Sequence, residues 1–265
     1  MTVPSSPAVN LVAVNIGNTR TQLGLFVGDR LERTAHCPSA EANEVAKAAQ
    51  SMWQAIVDAE PSMIVVASVN EPATGPIVAA IERSTSSEVY RIDDDLGVPI
   101  GQQLDPETIT GLDRLLNAAA AWDRLKQACV VVDAGTAVTV DFVDGVGTFQ
   151  GGAIAPGARM QLAALHEHTA ALPTIDFVRP DPDPFGKNTR QAMLQGVFHG
   201  IRGLVWRLVE QYATAYGAFP QVIATGGDAA TIFEGDELVN AIVPDLTLQG
   251  IAAAARANLS EGADA

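Results

Sequence analysis

Apolar and polar positions alternate along residues 9–27, and Gly17-Asn18 interrupts them with a turn signal. A period of two on both sides of such a dipeptide predicts a strand, a tight turn and a second strand, that is, a β-hairpin. The period then lengthens. Val45, Ala48, Met52 and Ile56 fall at helical spacing, so residues 41–58 are expected to form an amphipathic helix. A β-branched run at 63–69 predicts a buried strand, 77–83 a helix and 88–92 another strand. Pro99 and Pro106 mark 97–110 as a loop, and the Leu- and Ala-rich stretch 111–126 reads as a helix.

After this the pattern restarts. Residues 128–133 read as a strand, Gly135-Thr136 as a turn and 138–143 as a second strand; a third strand over 147–154 ends in Pro156-Gly157. Helices are expected at 156–167 and 189–216. A strand at 221–224 precedes Gly226-Gly227 and a further helix; a short strand at 241–243 and an alanine-rich helix close the chain. The two halves share one motif. Val12-Ala13-Val14-Asn15-Ile16-Gly17-Asn18 and Val130-Val131-Val132-Asp133-Ala134-Gly135-Thr136 both run strand, Asp or Asn, one residue, Gly, small polar residue. An internal repeat of this size predicts two similarly folded domains with a cleft between them, a common place for a ligand. The expected division is a flexible tail at 1–10, a first domain at 11–126 and a second at 127–265.

Composition narrows the function classes. The 265 residues are 48% hydrophobic, enough for proper cores, and contain no apolar run of 18 or more that would predict a membrane span. Residues 1–10 are polar, contain proline and lack a basic segment, so no signal peptide is expected. A net charge of -15 disfavours nucleic acid as a partner, whereas a small anion can still be held by backbone N–H groups and metal ions. Two widely separated cysteines, Cys37 and Cys129, predict no disulfide framework and fit a reducing cytoplasm.

Four short motifs carry candidate chemistry. Asn15-Ile16-Gly17-Asn18-Thr19 offers a glycine turn with exposed N–H groups, a plausible phosphate cradle, although Gly-Asn is also an ordinary hairpin turn. In Asp133-Ala134-Gly135-Thr136, an acid ends a buried strand, where it is costly unless it meets a cation, and Thr136 can donate to a phosphate oxygen. Gly111-Leu112-Asp113-Arg114 opens a helix; Asp113 is either a first-turn acid favoured by the helix dipole or a general base, with Arg114 as an anion clamp. Thr225-Gly226-Gly227-Asp228 lies between a strand and a helix, where paired glycines let a flat ligand approach the backbone. Gly186-Lys187-Asn188-Thr189 lacks the earlier glycine of a P-loop, and His166 and His168 are spaced wrongly for a metal pair on a helix.

Taken in order, these motifs resemble the type III pantothenate kinases of the acetate kinase, sugar kinase, Hsp70 and actin superfamily, over about residues 11–253. The family order is Asp-x-Gly-Asn-Thr, Gly-x-Asp-Arg, Asp-x-Gly-Thr-Ala, Gly-Gly-x-Ile-x-Pro-Gly and Thr-Gly-Gly; the last four stand in this chain, the fourth as Gly151-Gly152-Ala153-Ile154-Ala155-Pro156-Gly157. The resemblance implies an α/β fold of two RNase H-like, actin-type domains with mixed sheets flanked by helices. It implies ATP-dependent phosphorylation of pantothenate, the first step of coenzyme A synthesis, in a cytoplasmic homodimer. It makes Asp113 the base and Gly111, Leu112, Arg114 and Thr189 substrate contacts. ATP would meet Asn15, Ile16, Gly17, Asn18, Thr19, Arg20, Thr21 and Gln22, together with Gly135, Thr136, Gly226 and Gly227. Mg²⁺ would accompany the nucleotide, and Asp133 would bind a monovalent cation, K⁺ or NH₄⁺.

Two positions depart from the family pattern. Asn15 stands where the family has aspartate, and the stretch before Gly111 (Gly101-Gln102-Gln103-Leu104-Asp105-Pro106) has no tyrosine to pack on the substrate. A catalytically weakened homologue with an accessory role, and a kinase for another small hydroxylated acceptor, are therefore alternative readings.

Overall fold

A computed structural model describes residues 9–263 of the chain. The expected tail falls mostly outside the described residues, and Asn10 already begins the first strand. The chain forms two compact units. One comprises the residues up to Ile100, Glu107–Asp123 and the chain from Leu246 onward; the other comprises Gly101–Pro106 and Arg124–Asp245.

The first unit is a five-stranded sheet in the order β3-β2-β1-β4-β5. Strands β1 (Asn10–Ile16), β2 (Arg20–Val27) and β3 (Arg30–Pro38) form an antiparallel meander, and β4 (Ser62–Ser68) and β5 (Val89–Arg91) run parallel to β1. Alternation along β1 sends residues to opposite faces. Val12, Val14 and Ile16 pack with Val45 and Met52 of α1 (Ala42–Trp53) and Ile77 and Ile81 of α2 (Glu71–Thr85). Leu11 and Ala13 pack with Leu112 and Leu116 of α3 (Leu112–Leu125) and Leu248 and Ile251 of α7 (Leu246–Ala263). Asn15, in phase with Leu11 and Ala13, therefore belongs to the face that α3 and α7 cover.

The second unit repeats this plan. Its sheet runs β11-β10-β7-β8-β9-β6. Strands β7 (Cys129–Ala134), β8 (Ala137–Val143) and β9 (Thr148–Pro156) are the antiparallel meander, and β10 (Gln221–Thr225) and β11 (Ala241–Ile242) are the parallel pair. Without β6 (Gly101–Gln102), the order matches the first sheet strand for strand. Even the register break between the second and third strands recurs, at Leu25/Phe26 and at Phe142/Val143. Helices α4 (Ala158–Glu167), α5 (Thr189–Tyr216) and α6 (Ala229–Phe233) bury Leu162, Leu194, Phe198, Ile201 and Phe233 against Val130, Val132, Val138 and Val140. Each such side chain contributes about 1.5–3 kcal/mol of burial, which fixes the sheet ends that carry the motifs.

Several elements differ from the sequence reading. Strand β3 was not expected, because its residues are mostly exposed and polar on both faces, as at a sheet edge. Helix α2 starts at Glu71, ahead of the expected 77, despite Pro72 and Pro76. Pro72 lies in the first turn, where its missing N–H would have had no helical partner. The last helix joins the first unit rather than the second, and residues 101–106 and 124–126 join the second rather than the first, so the two units are not divided at 126/127.

Candidate functional site

Asn15 and Asp133 hold equivalent places in the two sheets. Each is the penultimate residue of its unit's central strand. Asn15 lies between Gln22 of the antiparallel neighbour and Ala67 of the parallel one; Asp133 lies likewise between Thr139 and Thr225. Side chains at strand ends point where the sheet's own hydrogen bonds run out, which is where α/β proteins place ligands.

In the first unit, the β1–β2 turn closes with Gly17 N–H donating to the Arg20 carbonyl at 3.0 Å. All three carbonyls inside the turn are occupied. Ser39 Oγ donates to Gly17 O at 2.8 Å, Ser39 N–H to Thr19 O at 3.1 Å, and Asn70 Nδ2 to Gly17 O and Asn18 O at 3.2 Å each. Among the described residues, the N–H groups of Asn18 and Thr19 donate to nothing, and both residues are exposed. A turn with its acceptors tied inward and its donors free can receive an anion. Asn15 is half-buried, and its carboxamide makes no hydrogen bond among the described residues. Thr21 is fully buried and is fixed by a hydroxyl–hydroxyl bond to Ser39 at 3.0 Å, so it braces the turn from below.

On the α3–α7 side of the same unit, Gly111 precedes the first turn of α3, and Arg114 N–H donates to its carbonyl at 3.1 Å. Asp113 Oδ1 accepts from Arg114 N–H at 2.9 Å and lies over the Gly111 backbone. Leu112 is buried among Leu116, Leu248 and Ile251, which anchors the turn, while Asp113 and Arg114 remain half-exposed. The result is a half-exposed carboxylate held at a helix N-terminus, on the sheet face that also carries Asn15.

In the second unit, three loops converge. The β7–β8 turn closes with Gly135 N–H to Ala137 O at 2.9 Å and leaves Thr136 exposed. Gly157 N–H donates to Thr136 O at 3.0 Å, so the end of β9 rests on that turn. Gly226, at φ 93°, lies against Asp133 Oδ1, and Asp228 N–H donates to Ala134 O at 2.9 Å. Asp133, Gly135, Thr136, Gly226 and Gly227 thus form one cluster. Arg159 joins it without any motif to announce it. Its Nη1 donates to both carboxylate oxygens of Asp228, at 2.6 and 2.5 Å, with the Asp228 side chain 3% exposed and that of Arg159 69%. The acid is buried and the cation is not, so the pair ties the Gly226-Gly227 loop to α4 while leaving the guanidinium in reach of a ligand.

Thr189 sits apart from these contacts, exposed at the first position of α5, where Asn188 caps the helix by accepting from Gln191 N–H at 2.9 Å. Burial pushes the Cys129 thiol up to about 12, and burial, then Glu44, raises Cys37, so both are held toward the protonated form. Ser39 and Asn70 were missed by sequence reasoning. Asn70 had a signal, since Asn-Glu-Pro is a helix-start signature; Ser39 had none. Among the described residues, no group of three or more His, Cys, Asp or Glu side chains is disposed to hold a metal ion, and no helix is long and apolar enough to cross a membrane.

Comparison with known proteins adds an independent line. The sequence profile of the type III pantothenate kinases matches residues 11–211. A type III pantothenate kinase of Dehalococcoides mccartyi strain 195 is 36% identical over 246 residues, 91% of this chain and 95% of that protein. The one from Rhodospirillum centenum is 35% identical over 253 residues, again 91% of this chain and 96% of the relative. Among solved structures, a conserved putative Baf family transcriptional activator from Campylobacter jejuni superposes with a TM-score of 0.63 at 19% identity, covering 94% of this chain and 99% of that one. A putative 2-dehydro-3-deoxygalactonokinase from Sinorhizobium meliloti follows at 0.52 and 16%, covering 94% and 99%. At these identities the two structures bear on the fold alone.

Proposed function

The chain belongs to the type III pantothenate kinase family, and from that membership we propose that it phosphorylates pantothenate with ATP, the first step of coenzyme A synthesis. The observation that carries the assignment of parts is the repeated strand end: one motif, Asn15 to Thr19 and Asp133 to Thr136, occupies the same place in both sheets.

Phosphoryl transfer needs positioning and charge stabilisation more than covalent participation by the protein. In this reading Asp113 accepts the proton of the pantothenate primary hydroxyl as that oxygen bonds to the γ-phosphorus. The bond from the γ-phosphorus to the β–γ bridging oxygen breaks, and ADP leaves. The free N–H groups of Asn18 and Thr19 hold phosphate oxygens, with Asn15, Ile16, Gly17, Arg20, Thr21 and Gln22 forming the rest of that cradle. Gly135 and Thr136 contribute the second phosphate loop, and the bare backbone of Gly226 and Gly227 takes the nucleoside. Gly111, Leu112, Arg114 and Thr189 contact the acceptor, Arg114 as the partner of its carboxylate.

A divalent ion bound with ATP supplies charge neutralisation. Among the described residues no group of three or more His, Cys, Asp or Glu side chains is disposed to hold it, so Mg²⁺ would take its ligands chiefly from phosphate oxygens and water, which suits its reluctance to dehydrate. Asn15 offers one neutral oxygen to that shell. The Asp133 carboxylate and the Ala134 carbonyl lie together beside the Gly226 backbone, and these two oxygens support a monovalent cation, K⁺ or NH₄⁺, beside Asp133. A cytoplasmic homodimer completes the proposal. The direct test is incubation with ATP, Mg²⁺, K⁺ and pantothenate: 4′-phosphopantothenate is expected, and its absence at high enzyme concentration overturns the reading. The tyrosine-free stretch 101–106 favours one second reading, another hydroxylated acceptor. ADP release on a panel of acceptors, but not on pantothenate, would establish it.

A further inference from the structure

We infer that Asn70 is a positioning residue for ATP, the group that sets the β1–β2 turn in its anion-receiving form. The inference rests on the reading that this turn holds the phosphates. It goes beyond that reading by assigning the control of the turn to a residue over fifty positions away in sequence.

The geometry gives Asn70 two functions at once. Its Oδ1 accepts from Ala73 N–H at 3.3 Å and caps α2. Its Nδ2 donates to the carbonyls of Gly17 and Asn18, at 3.2 Å each. The side chain is fixed in turn, because Asn70 N–H donates to Ser68 Oγ at 3.0 Å and Thr74 Oγ1 donates to the same oxygen at 2.6 Å. Ser68 ends β4, the parallel neighbour of β1, and pairs with Ile16 immediately before the turn. The amide therefore spans from a helix start, rigidly seated on the sheet, to a hairpin loop.

Peptide planarity converts that grip into ligand geometry. A trans peptide unit holds its C=O and the following N–H in one plane, pointing in opposite directions. Holding Gly17 O inward turns the Asn18 N–H outward, and holding Asn18 O inward does the same for Thr19 N–H. Neither of these two N–H groups has an acceptor among the described residues. Ser39 holds Gly17 O as well, but among the described residues only Asn70 reaches Asn18 O. Asparagine suits the place because one side chain must both accept from the helix and donate to the loop. Aspartate and serine can cap the helix equally well, but aspartate has no proton to donate to the two carbonyls and serine is too short to span to them.

Asn70→Asp and Asn70→Ser consequently separate a positioning role from a structural one. Both are expected to raise KM for ATP, and Kd for ADP measured by calorimetry without turnover, by about tenfold, the loss of one or two hydrogen bonds. KM for pantothenate should stay within about twofold, and the unfolding temperature should move little because the cap survives. Unchanged nucleotide affinity in both variants overturns the inference, whatever happens to stability. Asn18→Pro, which deletes one free N–H from an exposed turn, run in parallel distinguishes the failures. If it weakens ADP binding while the Asn70 variants do not, only the positioning role falls; if all three bind ADP normally, the turn is not the phosphate site.

Discussion

A side chain on Gly111 would bring its Cβ within 2.7 Å of Oδ1 of Asp113, the oxygen that accepts the Arg114 N–H at 2.9 Å. The carboxylate rests on bare backbone, and the tetrapeptide Gly-Leu-Asp-Arg is a packing unit: Leu112 anchors it, Gly111 makes room, and Asp113 takes the space. Gly111→Ala should swing the carboxylate away from its present position. Misplacing a catalytic group by about 1 Å can cost about 10²-fold in rate, so kcat is expected to fall on that order. Gly111 is exposed, so the unfolding temperature should change little. Steady-state kinetics beside a thermal melt checks both, and a normal kcat would mean that the packing of Asp113 over Gly111 is incidental to turnover.

Asp113→Asn keeps the shape and the acceptor for Arg114 N–H, and removes only the capacity to take a proton. General base catalysis is worth about 10²–10⁴-fold, and kcat is expected to drop within that range at an unchanged unfolding temperature. A variant that turns over at the parent rate would leave the hydroxyl proton to solvent or to the phosphate itself.

The sequence displayed the repeat because a buried central strand and its turn must be written locally: apolar run, acid or amide, glycine. The same holds for Gly111-Leu112-Asp113-Arg114 and for Gly226-Gly227. Strand β3 was hidden because an edge strand with Arg30, Glu32, Arg33 and His36 has little apolar period to show. Helix α7 was visible as a helix, but nothing local says which sheet Leu248 and Ile251 will cover. The parts of the site that escaped are those made by distant side chains. Arg159 meets Asp228, Ser39 meets Gly17, and Asn70 meets Asn18, and no spacing within one motif encodes such pairs. They give the motifs their working geometry, yet they look like surface residues in the chain.

Asn15 sits at the centre of the sheet end, and its carboxamide makes no hydrogen bond among the described residues, so a carboxylate of nearly the same shape can be installed without breaking one. Asn15→Asp supplies an anionic oxygen that a hydrated Mg²⁺ prefers. Outer-shell groups of this kind are typically worth about 10–100-fold in metal affinity, so half-maximal activity should occur at about tenfold lower Mg²⁺ with ATP held fixed. A Mg²⁺ titration of the two proteins side by side decides the matter. Coincident curves would place Asn15 outside the influence of the ion and leave it a structural residue.

Cys129 gives a prediction about stability rather than rate. It is fully buried in β7, and burial pushes its thiol from the ordinary 9.0 up to about 12. The folded-state value is the higher one, so the folded protein retains a proton that the unfolded chain gives up. The resulting stability is complete below about pH 9 and is lost as pH rises toward 12, at up to about 1.4 kcal/mol per pH unit. Between about pH 9 and pH 10.5 the chain should lose about 1–2 kcal/mol from this residue alone. Lysines and tyrosines titrate in the same interval, so the measurement is the difference between the parent and Cys129→Ala in denaturant unfolding across that range. The parent curve should fall more steeply, and the gap between the two should narrow as pH rises. Cys37 is raised in the same direction by burial and by Glu44, so Cys37→Ala should also reduce the slope, but by less. Parallel curves for the parent and Cys129→Ala would show that the β7 thiol ionises as readily folded as unfolded, which requires water to reach the centre of the second sheet.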